Sequence, residues 1–399
     1  MKRVVILCVW LFSVVAGHAQ LSLDECRRLA RENYPEIRQY DLVHQTEQYN
    51  LSNAARAWIP QLAFSAQATW QTDAPNFPKE LTGMLAQQGL EIPGLRKDQY
   101  KVALELNQTI WDGGKSVADK RIARAEAAEQ KTMTDVDLYE LEGRVDDLYF
   151  GILLLDERIA QTNLTQNLLR SNLEKVRALQ RNGVAMQSDA DVLEAELLSV
   201  GQQLIQFESS CDSYRRMLGI FIGQKVGDRK LQRPSAVQPL SGESARPELA
   251  MFAAKIDRLT AQEKMVKSSS MPRLGFFAQG YYGYPGLDYM QSMMNSDWSW
   301  NAMLGVKLSW NFGAYYTQKN NLNKLRTSRQ QVEVQRDVFL FNMNLQAAQE
   351  NGDIARLRKA IADDDRIVAL RRSVREAAES KLRNGIIAVS YTHLTLPTK

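Results

Sequence analysis

From Lys115 to Gln180 the chain contains no proline and only two glycines, Gly143 and Gly151. Within that stretch Leu138, Leu141, Val145, Leu148, Ile152, Leu155 and Ile159 step by three and four without a break, a heptad seam. The seam passes through Thr162 and Gln166 and resumes at Leu169, Leu173 and Val176. A helix of about 67 residues spans roughly 100 Å. Nothing that long fits inside a compact globule, so it must be a coiled coil or a stave in a wall. Arg181-Asn182-Gly183 ends it with a left-handed stop signal. Ser188-Asp189-Ala190-Asp191 is expected to cap a return helix running to about Gly219.

The pattern occurs twice. Trp58-Ile59-Pro60-Gln61-Leu62 is echoed by Ser270-Met271-Pro272-Arg273-Leu274, and Ile110-Trp111-Asp112-Gly113-Gly114 by Ser309-Trp310-Asn311-Phe312-Gly313. Arg181-Asn182-Gly183-Val184 is echoed by Arg383-Asn384-Gly385-Ile386. The chain therefore reads as one unit used twice, with a shorter segment between the first two marks in the second copy. Residues 20–222 form the first unit, 223–245 a Gly/Pro-containing linker, and 246–389 the second.

Each unit opens with a helix. Ser22 can cap the first, with Glu25 completing a capping box, and the pattern runs toward Ala57 until Pro60 stops it. Pro247 at the first turn starts the other, which runs to about Ser268. The period then changes to two. Leu62, Phe64, Ala66, Ala68 and Trp70 alternate with mostly polar residues, as do Val102, Leu104, Leu106 and Ile110. Leu274, Phe276, Ala278 and Tyr282 share one parity in the second unit; Ala302, Leu304, Val306, Leu308 and Trp310 share another. Each unit thus holds two strands joined by a long loop, 73–98 or 283–297. Gly113-Gly114 and Phe312-Gly313 are the bends from strand into long helix.

Residues 1–19 read as a cleavable export signal. Lys2 and Arg3 precede an apolar run from Val4 to Val15, and small residues flank a cut before Gln20. Cys8 leaves with the signal; Cys26 and Cys211 are expected to be free, buried thiols. The net charge of +4 on 96 charged residues is too balanced for nucleic acid. Enzyme signatures are missing. No Cys/His cluster has metal spacing, His44 reads as a surface or packing residue, and Asp363-Asp364-Asp365 reads as a solvated helix face. Gly113-Gly114-Lys115-Ser116 superficially resembles a phosphate loop, but its echo Phe312-Gly313-Ala314-Tyr315 keeps none of those features. No catalytic residue, metal or cofactor is expected.

Strands with one apolar face, aromatics near their ends (Trp70, Trp111, Tyr281, Tyr282, Trp298, Trp300, Trp310) and an export signal fit a membrane barrel with interfacial girdles. Four strands cannot enclose a channel, and open edges are forbidden in lipid, so copies must pool strands. Three copies give twelve, and a cyclic ring closes them.

Over residues 21 to 389 the chain resembles the TolC-like outer-membrane efflux proteins. The resemblance rests on Leu21-Ser22-Leu23-Asp24-Glu25-Cys26 through Asn33 and Pro35, and on the strand entry Ala57-Trp58-Ile59-Pro60. Leu106 to Gly114, Gly183, Ser188-Asp189 and Asp191-Val192-Leu193-Glu194-Ala195-Glu196 complete it. It implies a mixed α and β membrane protein: a homotrimer whose twelve-strand barrel, four strands per protomer, continues into a periplasmic α-helical coiled-coil barrel. It implies an outer-membrane channel subunit, extending into the periplasm, of a tripartite efflux pump or type I secretion system. The partners would be outer-membrane lipid, a periplasmic adaptor and a proton- or ATP-driven inner-membrane pump. Arg181, Asn182, Gly183, Ser188, Asp189, Arg383, Asn384 and Gly385 would be adaptor-contacting tips. The alternative is a periplasmic adaptor subunit, which has one hairpin rather than two. Residues 390–399 resemble a translated sequencing-adapter read-through, so the second return helix and the periplasmic gate are expected to be missing from this chain.

Overall fold

The computed structural model describes residues 20–89, 92–235 and 245–383. The export signal, residues 390–399, and the tip residues Asn384 and Gly385 lie outside the described residues. Two units are distinguished, one reaching to Ser328 and the other starting at Arg329.

In the first unit, α1 (Leu23–Asn33) starts where the Ser22 hydroxyl accepts a hydrogen bond from the Glu25 N–H, 3.2 Å away. The opening helix is not continuous, as the sequence pattern suggested. Pro35 forces Tyr34 into extended backbone, a 3-10 turn covers Pro35–Arg38, and helix resumes as α2 (Gln39–Arg56). Strand β1 (Gln61–Trp70) follows, then a short helix α3 (Lys79–Gln87) in the loop, then β2 (Asp98–Trp111). The long helix α4 spans Lys115–Arg181, 67 residues, and α5 returns over Gln187–Ile222, slightly beyond the expected end. Next come α6 (Pro247–Ser268), β3 (Arg273–Tyr284), α7 (Tyr289–Met294), β4 (Ser299–Ser309) and α8 (Gly313–Arg383). The short α3 and α7 were not foreseen. They fold in loops whose tips pack together: Tyr284, Ala74 and Leu95 form a small buried core with Met293 against it. The Tyr284 hydroxyl accepts from the Arg96 N–H (2.9 Å) and donates to the Ser292 carbonyl (3.1 Å).

The main core lies at mid-length on α4, where α1 and α5 pack on opposite sides of the heptad seam. Val145, Tyr149 and Ile152 from α4 meet Cys26 and Ala30 from α1 and Cys211, Leu218 and Ile222 from α5. Leu138 and Leu141 are buried in the same row, and Leu148, Leu155 and Ile159 pack on the cluster. The Tyr149 hydroxyl reaches the carbonyls of Leu21 (2.7 Å) and Gln232 (2.5 Å), two segments that also form a parallel bridge, Leu21 to Leu231. Arg215 fastens the same region. Its guanidinium grips both oxygens of Asp156 on α4 (3.0 and 2.8 Å) and the carbonyls of Gly227 and Arg229 (2.8 and 3.0 Å). Gly151 leaves room on α4 for the Tyr214 ring, which would lie 2.6 Å from a β-carbon there. Cys26 and Cys211 are free and buried, and burial pushes the Cys26 thiol up to about 12.

The second unit consists, among its described residues, of the continuation of α8. Val334, Val338, Phe341 and Leu345 form an exposed apolar stripe along it at spacings of four, three and four.

Candidate functional site

The four strands form one antiparallel sheet in the order β1-β2-β3-β4, leaving β1 and β4 as edges. Its register puts the apolar parities of all four strands on a single face. Leu62 pairs with Leu106, Leu106 with Ala278, and Ala278 with Leu304; Ala66, Val102, Tyr282 and Trp300 form a parallel row. These apolar side chains are not covered: Trp300 is 82% exposed, Leu304 76% and Phe64 72%. A bulge at Ile110 shifts the register, so that Trp111 rather than Ile110 faces Leu274.

Aromatics gather at both ends of this face. At the loop end Trp298 stacks on Tyr100 (5.6 Å between centroids) and Tyr282 touches Trp298 and Trp300. At the helix end Trp310 packs on Phe312 at 4.8 Å. Tyr281 does not belong to either group. Paired with Asn301 and Ala103, it points to the opposite face and is buried there, because adjacent strand residues alternate sides. That opposite face is polar. Lys101 donates to the Gln279 carbonyl oxygen (3.1 Å) and sits 4.6 Å above the Tyr281 ring, while the Gln279 amide donates to Glu105.

The strand-to-helix bends come together at the sheet's helix end. Gly113 and Gly114 have φ of 71° and 85°, a conformation glycine adopts at little cost. Asp112 organises this turn. Its carboxylate accepts from the N–H groups of Gly114 (2.9 Å) and Ser116 (2.7 Å) and from the Ser116 hydroxyl. Burial pushes its pKa up, but the Ser116 and Gly114 bonds outweigh that and hold the carboxyl below its ordinary value. The amides that would cradle a phosphate are thus occupied by Asp112, and Lys115 pairs with Asp119 at 2.8 Å. Asn311 does the corresponding work in the second half, accepting from the Gly313 N–H at 3.0 Å.

The bend at Pro272 lies directly on Gly113. A β-carbon at Gly113 would stand 2.7 Å from the Met271 β-carbon and 3.2 Å from the Pro272 carbonyl. Trp310 donates to the Ser270 carbonyl (3.0 Å), and Gln318 to the Ser270 hydroxyl (2.8 Å). At the Pro60 entry, the Trp58 carbonyl accepts from Gln108 at 2.7 Å. Gly113→Ala combines a left-handed backbone penalty with this contact, so a loss of about 2–4 kcal/mol is expected. A denaturant titration of the folded protein checks it, with Gly143→Ala, an open helical position, as the neutral or stabilising comparison.

Arg181, Asn182, Gly183, Ser188 and Asp189 meet at the α4–α5 turn. Gly183 (φ 76°) closes a Schellman motif: its N–H bonds the Gln180 carbonyl and the Val184 N–H the Leu179 carbonyl, both 2.9 Å. The cap of α5 differs from the expected one. Met186 is the capping residue, with the Asp189 carboxylate accepting its N–H at 3.0 Å, and Ser188 lies inside the first turn. Arg383 is the last residue of α8.

Among the described residues no group of His, Cys, Asp and Glu could hold a metal ion, and no helix is long and apolar enough to cross a membrane. The described residues thus combine a four-stranded sheet, one face of which is apolar and uncovered, with a long helical hairpin.

Residues 27–223 match the family model described as outer membrane efflux protein. Over those residues, just under half of its length, the chain is similar to that family of outer-membrane channels. Its fold is that of solved relatives. The outer membrane protein VceC from Vibrio cholerae aligns at a TM-score of 0.68 with 14% identity, covering 94% of this chain and 88% of that one. CusC aligns at 0.67 with 13% identity, covering 96% and 88%. The outer-membrane channel OprN aligns at 0.67 with 13% identity, covering 94% and 83%. The search of curated protein sequences gave no match.

Proposed function

We propose that the chain is one protomer of a trimeric, passive outer-membrane duct. Four strands from each of three copies would close a twelve-strand barrel, and the long helices would continue it as a tube into the periplasm. One observation carries this reading: one face of the sheet presents uncovered apolar residues from all four strands, and the sheet is open at both edges. In lipid such edges must be paired. Four is an even number, so β1 and β4 run in opposite directions and β4 of one copy meets β1 of the next antiparallel. A ring of copies then alternates throughout, as outer-membrane barrels do.

The aromatic spacing supports the same reading. Ten residues separate Trp300 from Trp310, about 33 Å along a strand, which a tilt near 40° reduces to the roughly 25 Å apolar band of such barrels. Beyond the covered seam, α4 carries a second apolar stripe, Phe150, Leu154, Leu164 and Leu168, and α5 shows Val192, Leu198 and Ile205, all exposed. Staves of a tube need two such seams, one for each neighbour. The two halves read as tandem repeats: Val338, Phe341 and Leu345 stand 200 residues after Leu138, Leu141 and Val145.

By the same reading the turn at Arg181, Asn182, Gly183, Ser188 and Asp189, with Arg383, Asn384 and Gly385, is where a periplasmic adaptor docks, linking the duct to a proton- or ATP-driven pump. Similar solved structures include the Campylobacter jejuni CmeC outer membrane channel and the open state of the Neisseria gonorrhoeae MtrE outer membrane channel. The test is fractionation and unheated gel electrophoresis of the expressed protein. Heat-labile trimers in the outer membrane are expected; a soluble periplasmic monomer would sink the reading.

A further inference from the structure

We infer that the duct favours anions, and that Arg273 and Lys307 at the helix end of the barrel set this preference. The inference rests on the proposed barrel, whose polar sheet face would line the lumen. That face carries three basic side chains, Lys101, Arg273 and Lys307, against one acidic, Glu105, while β1 contributes only uncharged residues. The charges are not equivalent. Lys101 and Glu105 are tied to each other through Gln279, which accepts from one and donates to the other. They form a locally balanced pair, with Lys101 toward the loop end and Glu105 at the middle of β2.

Arg273 and Lys307 lie toward the helix end. Register places Arg273 opposite Ser309 and Lys307 opposite Gly275, on neighbouring strands. Both are exposed, and both line one cavity of about 330 Å³. The same cavity is lined by Lys115, Asp112 and Asp119. Asp119 is paired with Lys115, and Asp112, a carboxylate held by Gly114 and Ser116, offsets one of the two strand cations. One net positive charge per copy therefore faces the lumen at this level, three in a ring of three.

A lumen potential of about one kT multiplies the anion-to-cation concentration ratio by about seven. Salt weakens it, since the screening length falls from about 10 Å at 0.1 M to about 3 Å at 1 M. The experiment is the reversal potential of the full chain, purified from outer membranes as trimers, in planar bilayers under a potassium chloride gradient. A chloride-to-potassium permeability ratio of about seven is expected at 0.1 M, falling toward one at 1 M. Arg273→Gln and Lys307→Gln, made singly, should each bring the ratio close to one, and the pair together should lower it further. A cation preference in the unsubstituted protein overturns the inference, as does a ratio that neither substitution moves. Trimers that insert but pass no current would overturn the duct reading itself, and this inference with it.

Discussion

Arginine in place of Leu304 is expected to destabilise the inserted protein by about 2–4 kcal/mol per copy, while arginine at the adjacent Met303 costs little. The two positions differ only in parity. Leu304 shares the apolar face with Ala278 and stands near the midpoint between the aromatics Trp300 and Trp310. A guanidinium there would sit at mid-depth in hydrocarbon. Met303 pairs with Gln279 on the polar face, where Lys101 and Glu105 already lie. The measurement is the denaturant stability of trimers reconstituted in vesicles. Equal cost at the two positions would show that the exposed apolar face does not meet lipid.

The second large effect lies in the helical part. Tyr149 is fully buried and contacts both α1 and α5, and its hydroxyl joins the chain on either side of the Leu21 to Leu231 bridge. Tyr149→Ala is expected to cost about 3–5 kcal/mol through the cavity it leaves. Tyr149→Phe keeps the ring and removes one hydroxyl donor shared by the Leu21 and Gln232 carbonyls, the first of which keeps the Gln232 N–H, a cost of about 1 kcal/mol. Denaturant titration separates the two. If both substitutions cost the same, the ring rather than the hydroxyl is dispensable, and the packing described around it is mistaken.

Much of this architecture was readable because it is periodic. The α4 seam repeats so regularly that Leu138, Leu141, Val145 and Ile152 could be named as buried, although Tyr149 beside it was missed, and the Gly183 stop is a local signal with a local mechanism. The strand faces were legible for the same reason. Where local pattern ended, so did legibility. Tyr281 and Tyr282 are adjacent aromatics, and only pairing with Asn301 and Trp300 decides which faces outward. Helix α7 is held through Met293 against Ala74, Leu95 and Tyr284, contacts between loops far apart in sequence. Arg215, with its guanidinium spent on Asp156, Cys211 and two distant carbonyls, looks in the sequence like any surface cation. Two misses had signals that could have been used. Pro35 inside a helical pattern restricts Tyr34, and Asp112 before two glycines, with Ser116 four residues on, announces a side-chain-capped turn. The adaptor-contacting role proposed for the tip residues is a matter of partner chemistry, which no helix-turn signal encodes.

The two unlike edges of the sheet bear on how the protein is made. A lone copy offers β4 on one side and β1 on the other, so it can be extended head to tail by any sister chain. On the proposed ring assembly, each newly exported copy would be a sticky link with an oily flank until the ring shuts, as prone to form open filaments as closed cylinders. Closure and entry into lipid would then be nearly one event during biogenesis. The hand-over from the export machinery to the outer membrane, rather than the final structure, is the step most exposed to going wrong.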